Sequence, residues 1–194
     1  MNKSRAEAFS DGVFAVAATL LVFSIPTPQP GVGLSRALIE EWPSYASYLI
    51  SFVTILVIWV NHHATIDAIK TFDRSLLFLN GLLLMTVAVI PFTTSVLGHA
   101  LQTGHDQSAA AVAYGVSATL MSFAFTFINV YAKSRRLFTT PFSLVGFSLG
   151  QVVYPAATLI ALFSYQFAIA IYAATAVFYA AFPLVRERAL RRSS

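Results

Sequence analysis

Cysteine is absent and charge is scarce in this 194-residue chain. Without a thiol there is no disulfide framework, no thiolate metal site and no cysteine nucleophile. Charged residues make up 10% of the chain against 57% hydrophobic residues, and mean hydropathy is +0.73. A soluble domain carries about 25% charged residues, so this chain lacks the polar surface to face water, and lipid is its expected solvent. Walker, Rossmann, zincin and nucleophile-elbow patterns are also missing, which removes the common enzyme classes. No internal repeat is present, and no TVGYG-type carbonyl filter or mid-membrane ring of acids is found.

What is there predicts an all-α integral membrane protein, one domain over residues 1–194, with no room for a separate soluble catalytic domain. Spans of about 20 apolar residues are expected at about 6–25, 44–66, 76–98, 109–132, 142–163 and 166–185. Pro26, Pro28 and Pro30 stop the first, because proline cannot continue a helix. A kink is expected near Pro91 in the third, and Pro155 lies within the fifth. The boundary between the last two is marked only by 164–166. The first apolar stretch runs past the length of a cleavable signal segment and carries Asp11 near its start, so it is read as a retained span.

The formal charge of +4 comes from basic residues confined to short segments between apolar runs. That distribution fits a cytoplasmic face near anionic lipid, not a nucleic-acid partner. With both termini inside, Lys3, Arg5, Lys70, Arg74, Lys133, Arg135, Arg136, Arg186, Arg188, Arg191 and Arg192 are cytoplasmic, and only Arg36 is outside. The even number of spans and the positive-inside count therefore support each other.

Polar residues inside the spans are the candidates for function. Asp11 lies six residues beyond Arg5, about 9 Å along a helix. It either ties helices together or takes part in ion passage. The second span carries Trp59, Asn61, His62 and His63 near its cytoplasmic end, at the depth expected for Asp11, so a network of Asp11 with Asn61, His62 or His63 is sterically open. His63 and Asp67 stand at i, i+4, a metal-compatible spacing, but no third ligand converges in the sequence and no metal site or cofactor is expected. Asn80 and Asn129 read as interhelical hydrogen-bonding residues. Val16, Thr19 or Leu20, and Phe23 form one stripe at helical spacing. On pattern alone that stripe suits ordinary helix packing as well as a pore.

The string Arg5-x-x-x-Phe9-Ser10-Asp11 at the head of the first helix resembles the signature of the transmembrane protein 175 family of potassium-permeable channels. The length, the span count and the Trp/His cluster of the second span extend the likeness along the chain. The resemblance implies the single-unit, prokaryotic form: a plasma-membrane homotetramer with cytoplasmic termini whose first helices line a filterless pore for potassium and other monovalent cations. It further implies Val16, Leu20 and Phe23 as a hydrophobic constriction with Thr19 as a hydroxyl layer. Arg5, Phe9, Ser10, Asp11, Trp59, Asn61, His62 and His63 are implied as a structural polar network. Where the family is associated with Ile/Leu rings, this chain has Val16 and Phe23. The alternatives are a secondary or proton-coupled transporter using Asp11 with His62 or His63, and a membrane-embedded enzyme using His62, His63 and Asp67. The first expects a second copy of the polar motif, and the other expects a third ligand and a nucleophile; neither is found.

Overall fold

The apolar runs between prolines and short polar segments fold as helices. The computed structural model describes residues 3–28, 33–139 and 149–192, the last segment with side chains to residue 181. Among the described residues the order is α1 (Lys3–Leu20), α2 (Leu34–Glu40), α3 (Trp42–Ala68), α4 (Arg74–Thr103), α5 (Gln107–Ser134), α6 (Leu149–Ala161) and α7 (Tyr165–Arg192). A 3-10 turn, Leu21–Ser24, prolongs α1. The segment Lys3–Ser24 together with α3, α4 and α5 makes four helices long and apolar enough to cross a membrane; α6 and the stretch Tyr165–Ala181 are shorter apolar helices. Residues 142–148 of the expected fifth span, and the side chains of the C-terminal arginines, lie outside the described residues.

Each boundary has a local cause. Pro43 occupies the first turn of α3, where its missing N–H costs nothing. Asp73 caps α4 by accepting a hydrogen bond from the Leu76 N–H at 2.8 Å. Gly104, at φ 75°, ends α4 in the left-handed region that favours glycine. α4 runs through Pro91 as one helix. The break after α6 runs over residues 162–164, so it begins two residues before the expected 164–166 boundary and overlaps it at Ser164. On the same side of the bundle as the α3–α4 turn, Lys70 donates its N–H to the Leu137 carbonyl (2.9 Å) and Thr139 donates to Ala68 (2.8 Å). These bonds tie the α3–α4 and α5–α6 connections into a short antiparallel bridge at Ile69 and Phe138.

Two cores result. One gathers Phe14, Ala17, Leu21, Ile55, Ile66, Leu83, Val87 and Ile128 from α1, α3, α4 and α5. The other is built of small residues and tyrosines, with Ala111, Tyr114, Ala118, Ala157, Ala161, Ala168 and Tyr172 drawing α5, α6 and α7 together. Small residues let helix backbones approach closely where lipid offers no hydrophobic drive for association. Ser51 donates to the Tyr114 hydroxyl at 3.3 Å and accepts from Thr94 at 2.7 Å, linking α3, α4 and α5 through buried hydroxyls. Large apolar side chains such as Phe78, Phe92, Phe163 and Phe167 point outward, as expected of a surface solvated by acyl chains.

Candidate functional site

The first helix has two unlike faces. Ala6, Ser10, Phe14, Ala17, Leu21 and Ser24 recur at three- and four-residue steps and are buried against the bundle. The other face leaves Phe9, Val16, Thr19, Leu20 and Phe23 exposed, with Val16 at 55%, Leu20 at 44% and Phe23 at 79%. The proposed stripe thus sits on one uncovered face, and both Thr19 and Leu20 belong to it. Thr19 donates its hydroxyl proton to the Val16 carbonyl at 2.9 Å, which leaves its oxygen lone pairs on the exposed side. The tightening to a 3-10 turn at Leu21–Ser24 changes the angular step before Phe23, a detail that helical periodicity does not reveal.

The polar residues at the other end of α1 divide into two groups. In the buried one, Ser10 donates to the Ala6 carbonyl (2.8 Å) and accepts from Asn80 Nδ2 (2.9 Å). The Asn80 Oδ1 stands 2.7 Å from His62 Nε2. With the amide nitrogen directed at Ser10, Oδ1 must accept, so His62 carries its proton on Nε2. The His62 ring also packs on Phe14, with centroids 5.2 Å apart. One chain of bonds therefore locks α1, α3 and α4 in register, and Asn80 is the interhelical residue the sequence suggested. Asn129 accepts from Thr65 at 3.4 Å and returns its amide to the Phe125 carbonyl of its own helix.

The second group is half-exposed. Trp59 donates its indole N–H to Asp11 Oδ1 at 2.9 Å. The expected partners of Asp11 were Asn61, His62 or His63; the bond goes instead to Trp59, two residues before Asn61, on the face of α3 that meets α1. His63 lies with its Nδ1 3.6 Å from Glu7 and its Nε2 3.6 Å from Asp67. Sequence reasoning did not single out Glu7 and missed this convergence, for which the only signal was its position at the base of the first span. Asn61 turns away toward Ile58, Tyr154 and Tyr179, beside a small cavity among α3, α5, α6 and α7. Arg5 is exposed and has no ion pair among the described residues. At the opposite end of the bundle Glu41, just before α3, is buried and accepts hydrogen bonds from Ser44 (3.2 Å) and Gln102.

A first helix with one bonded face and one bare apolar face, cross-linked to α3 and α4 by Ser10, Asp11, Trp59, His62 and Asn80, is the feature to compare with known proteins. The model of the family described as endosomal/lysosomal potassium channel TMEM175 matches residues 5–91, which carry most of α1, all of α2 and α3, and the first part of α4. A potassium channel of Streptomyces collinus is 38% identical over 191 residues, covering 92% of this chain and 92% of its own. The chain belongs to the TMEM175 family. A potassium channel of Chamaesiphon minutus is 47% identical over 116 residues, 58% of this chain and 57% of its own. The crystal structure of a lysosomal potassium-selective channel TMEM175 homologue from the same organism superposes with a TM-score of 0.82 at 32% identity, covering 92% of this chain and 96% of that one. The human relative, named an endosomal/lysosomal proton channel, is 35% identical over 101 residues, 47% of this chain and 20% of its own. The all-helical TMEM175 fold thus accounts for nearly the whole of this chain, and the family is one of channels, not of enzymes.

Proposed function

We propose that the protein is a potassium-preferring cation channel, a homotetramer in the plasma membrane of a prokaryote, with its pore lined by α1. The observation that carries this reading is the bare face of α1: Val16, Thr19, Leu20 and Phe23 are uncovered while the opposite face is fully packed. Symmetric association about that face places rings of Val16, Leu20 and Phe23 around an axis. Narrow apolar rings make water unstable and so oppose ion entry. The Thr19 layer offers hydroxyl oxygens whose protons are already committed to Val16 carbonyls, so their lone pairs can replace part of a cation's hydration. Potassium gives up its water more readily than sodium, so partial dehydration at this layer favours it. No carbonyl filter is needed for that preference. The Ser10–Asn80–His62 chain and the Asp11–Trp59 bond hold the helix that carries the rings.

Six spans with both termini cytoplasmic complete the proposal, a topology that would gather all Lys and Arg residues except Arg36 on the cytoplasmic side, as the positive-inside rule favours. The relatives named potassium channels support the choice of ion. The transporter alternative required Asp11 to exchange protons with His62 or His63. Its weakness is that Asp11 bonds to an indole, which does not titrate. Reconstitution into planar bilayers tests the proposal: discrete openings whose reversal potential follows the potassium gradient support it. A reversal potential that follows the pH gradient would assign the current to protons instead, and flux without discrete openings would assign a carrier.

A further inference from the structure

The Glu7, His63 and Asp67 donors on α1 and α3 meet outside the buried network, and nothing in the proposed pore uses them. One ligand atom from each lies within 4.8 Å of the others. The two contacts to the imidazole, 3.6 Å each, are too long for hydrogen bonds. Either one alone is close to the roughly 3.4 Å between ligands held about 2.1 Å from a tetrahedral metal, but Glu7 faces Nδ1 and Asp67 faces Nε2, so an ion held on one ring nitrogen needs the other carboxylate to swing across within the 4.8 Å cluster. Asp67 and His63 share a face at i, i+4, while Glu7 arrives from another helix, so the donor set needs the tertiary fold. We propose that Glu7, His63 and one carboxylate oxygen of Asp67 bind a divalent transition-metal ion, Zn2+ or a similar borderline cation, in an open site that keeps a coordination position for water.

The chemistry selects the class of ion. An imidazole with two carboxylates suits zinc, nickel or cobalt, whereas magnesium and calcium favour all-oxygen shells. Two carboxylates neutralise a divalent charge. The side chains are 26%, 46% and 60% exposed for Glu7, His63 and Asp67, which leaves them room to close around an ion on one ring nitrogen. Charged neighbours on the packed elements include Lys3, whose Nζ stands 3.0 Å from the Asp67 main-chain oxygen, Asp11, one helical turn further along α1, and, close in sequence, Arg5 and Lys70. Lys3 thus binds the backbone and leaves the Asp67 carboxylate to the ion, although its charge weakens the site. A bound ion would tie the base of the first helix to the end of α3, alongside the Asp11–Trp59 bond. This inference rests on the fold alone and stands or falls independently of the channel reading.

The test uses the full chain purified in detergent without a histidine tag. Binding of Zn2+ is measured by calorimetry, and Co2+ is added as a spectroscopic probe. Expected are saturable Zn2+ binding, visible d–d absorption on Co2+ addition, and a thermal midpoint raised by Zn2+ but not by excess Mg2+. His63→Ala and Glu7→Gln should each weaken binding by at least about tenfold, since even outer-shell changes cost that much at metal sites, and should keep the wild-type elution profile. His99→Ala/His105→Ala, which removes the two histidines at the α4–α5 turn, should leave binding unchanged. Equal competition by Mg2+, loss of binding in the His99→Ala/His105→Ala variant, or undiminished binding in His63→Ala would each overturn the assignment.

Discussion

Trp59 and Asp11 meet at 2.9 Å across the α1–α3 interface, an indole N–H donated to a half-buried carboxylate. The bond gives the acidic residue at the head of α1 a neutral donor that fixes its position without cancelling its charge. Trp59→Phe keeps an aromatic ring, though a smaller one, and removes the donor. A lost hydrogen bond to a charged group costs about 1.5–3 kcal/mol, so the variant should show lower assembly yield or altered gating, and Asp11→Asn should show a smaller defect because it still accepts. Wild-type yield and currents in Trp59→Phe would show that the bond is incidental.

The buried chain through Asn80 makes a sharper prediction. Asn80→Leu leaves the His62 Nε2–H without its acceptor in an apolar interface, at a cost of about 1–3 kcal/mol, and deprives Ser10 of the N–H it accepts while its bond to Ala6 remains. Asn80→Asp restores an acceptor for His62 but offers Ser10 no N–H. Folded yield in detergent, followed by size exclusion, should rank wild type above Asn80→Asp and Asn80→Leu; equal yields would contradict the register-locking role.

How much of this was legible in the sequence follows from what each residue depends on. The long apolar helices were readable because apolar length is a local property, and α3, α4 and α5 bracket the expected 44–66, 76–98 and 109–132 stretches. The stripe Val16, Leu20 and Phe23 was readable from periodicity, and depth alone brought Asp11 near the Trp59–His63 cluster. Partner choice was not readable. Whether Asp11 meets Trp59 or His62 depends on the rotation of α3, on which His62 bonds to Asn80 of a third helix, and the Gln102 partner of buried Glu41 lies far along the chain on α4. The α6–α7 break was soft because Leu162 and Phe163 are themselves apolar.

Gly115 is a packing prediction. A Cβ there would meet the Tyr172 hydroxyl and Thr158 Oγ1, and Tyr172 is buried against Tyr114 with no room to swing. Gly115→Ala should lower thermal stability by about 1–3 kcal/mol, the usual cost of overpacking, and Gly115→Ala with Tyr172→Phe should recover part of it. An unchanged thermal midpoint in the single variant would contradict the contact.

Asp73, on the connection before α4, gives a pH dependence. The Leu76 N–H, then the Tyr131 hydroxyl at 2.7 Å, hold its carboxyl below the ordinary range. A depressed folded pKa contributes stability above the unfolded value of about 3.9 that is lost as pH falls through the folded one. Thermal midpoints measured from neutral pH downward should therefore fall less steeply below about pH 4 in Asp73→Asn than in wild type. Asp73→Ala should cost about 0.5–2 kcal/mol at neutral pH through the lost cap. Parallel acid profiles for wild type and Asp73→Asn would refute the linkage.

The central claim is that the bare face of α1 lines the pore. The chain has no native cysteine, so single cysteines at Val16, Thr19, Leu20 and Phe23, and at Phe14, Ala17 and Leu21 on the packed face, can be compared in bilayer recordings with a water-soluble thiol reagent. Block or altered conductance at the first set, with no effect at the second, is the result predicted. Modification at Phe14, Ala17 or Leu21, or full protection at Val16, Thr19, Leu20 and Phe23 in conducting channels, would contradict it.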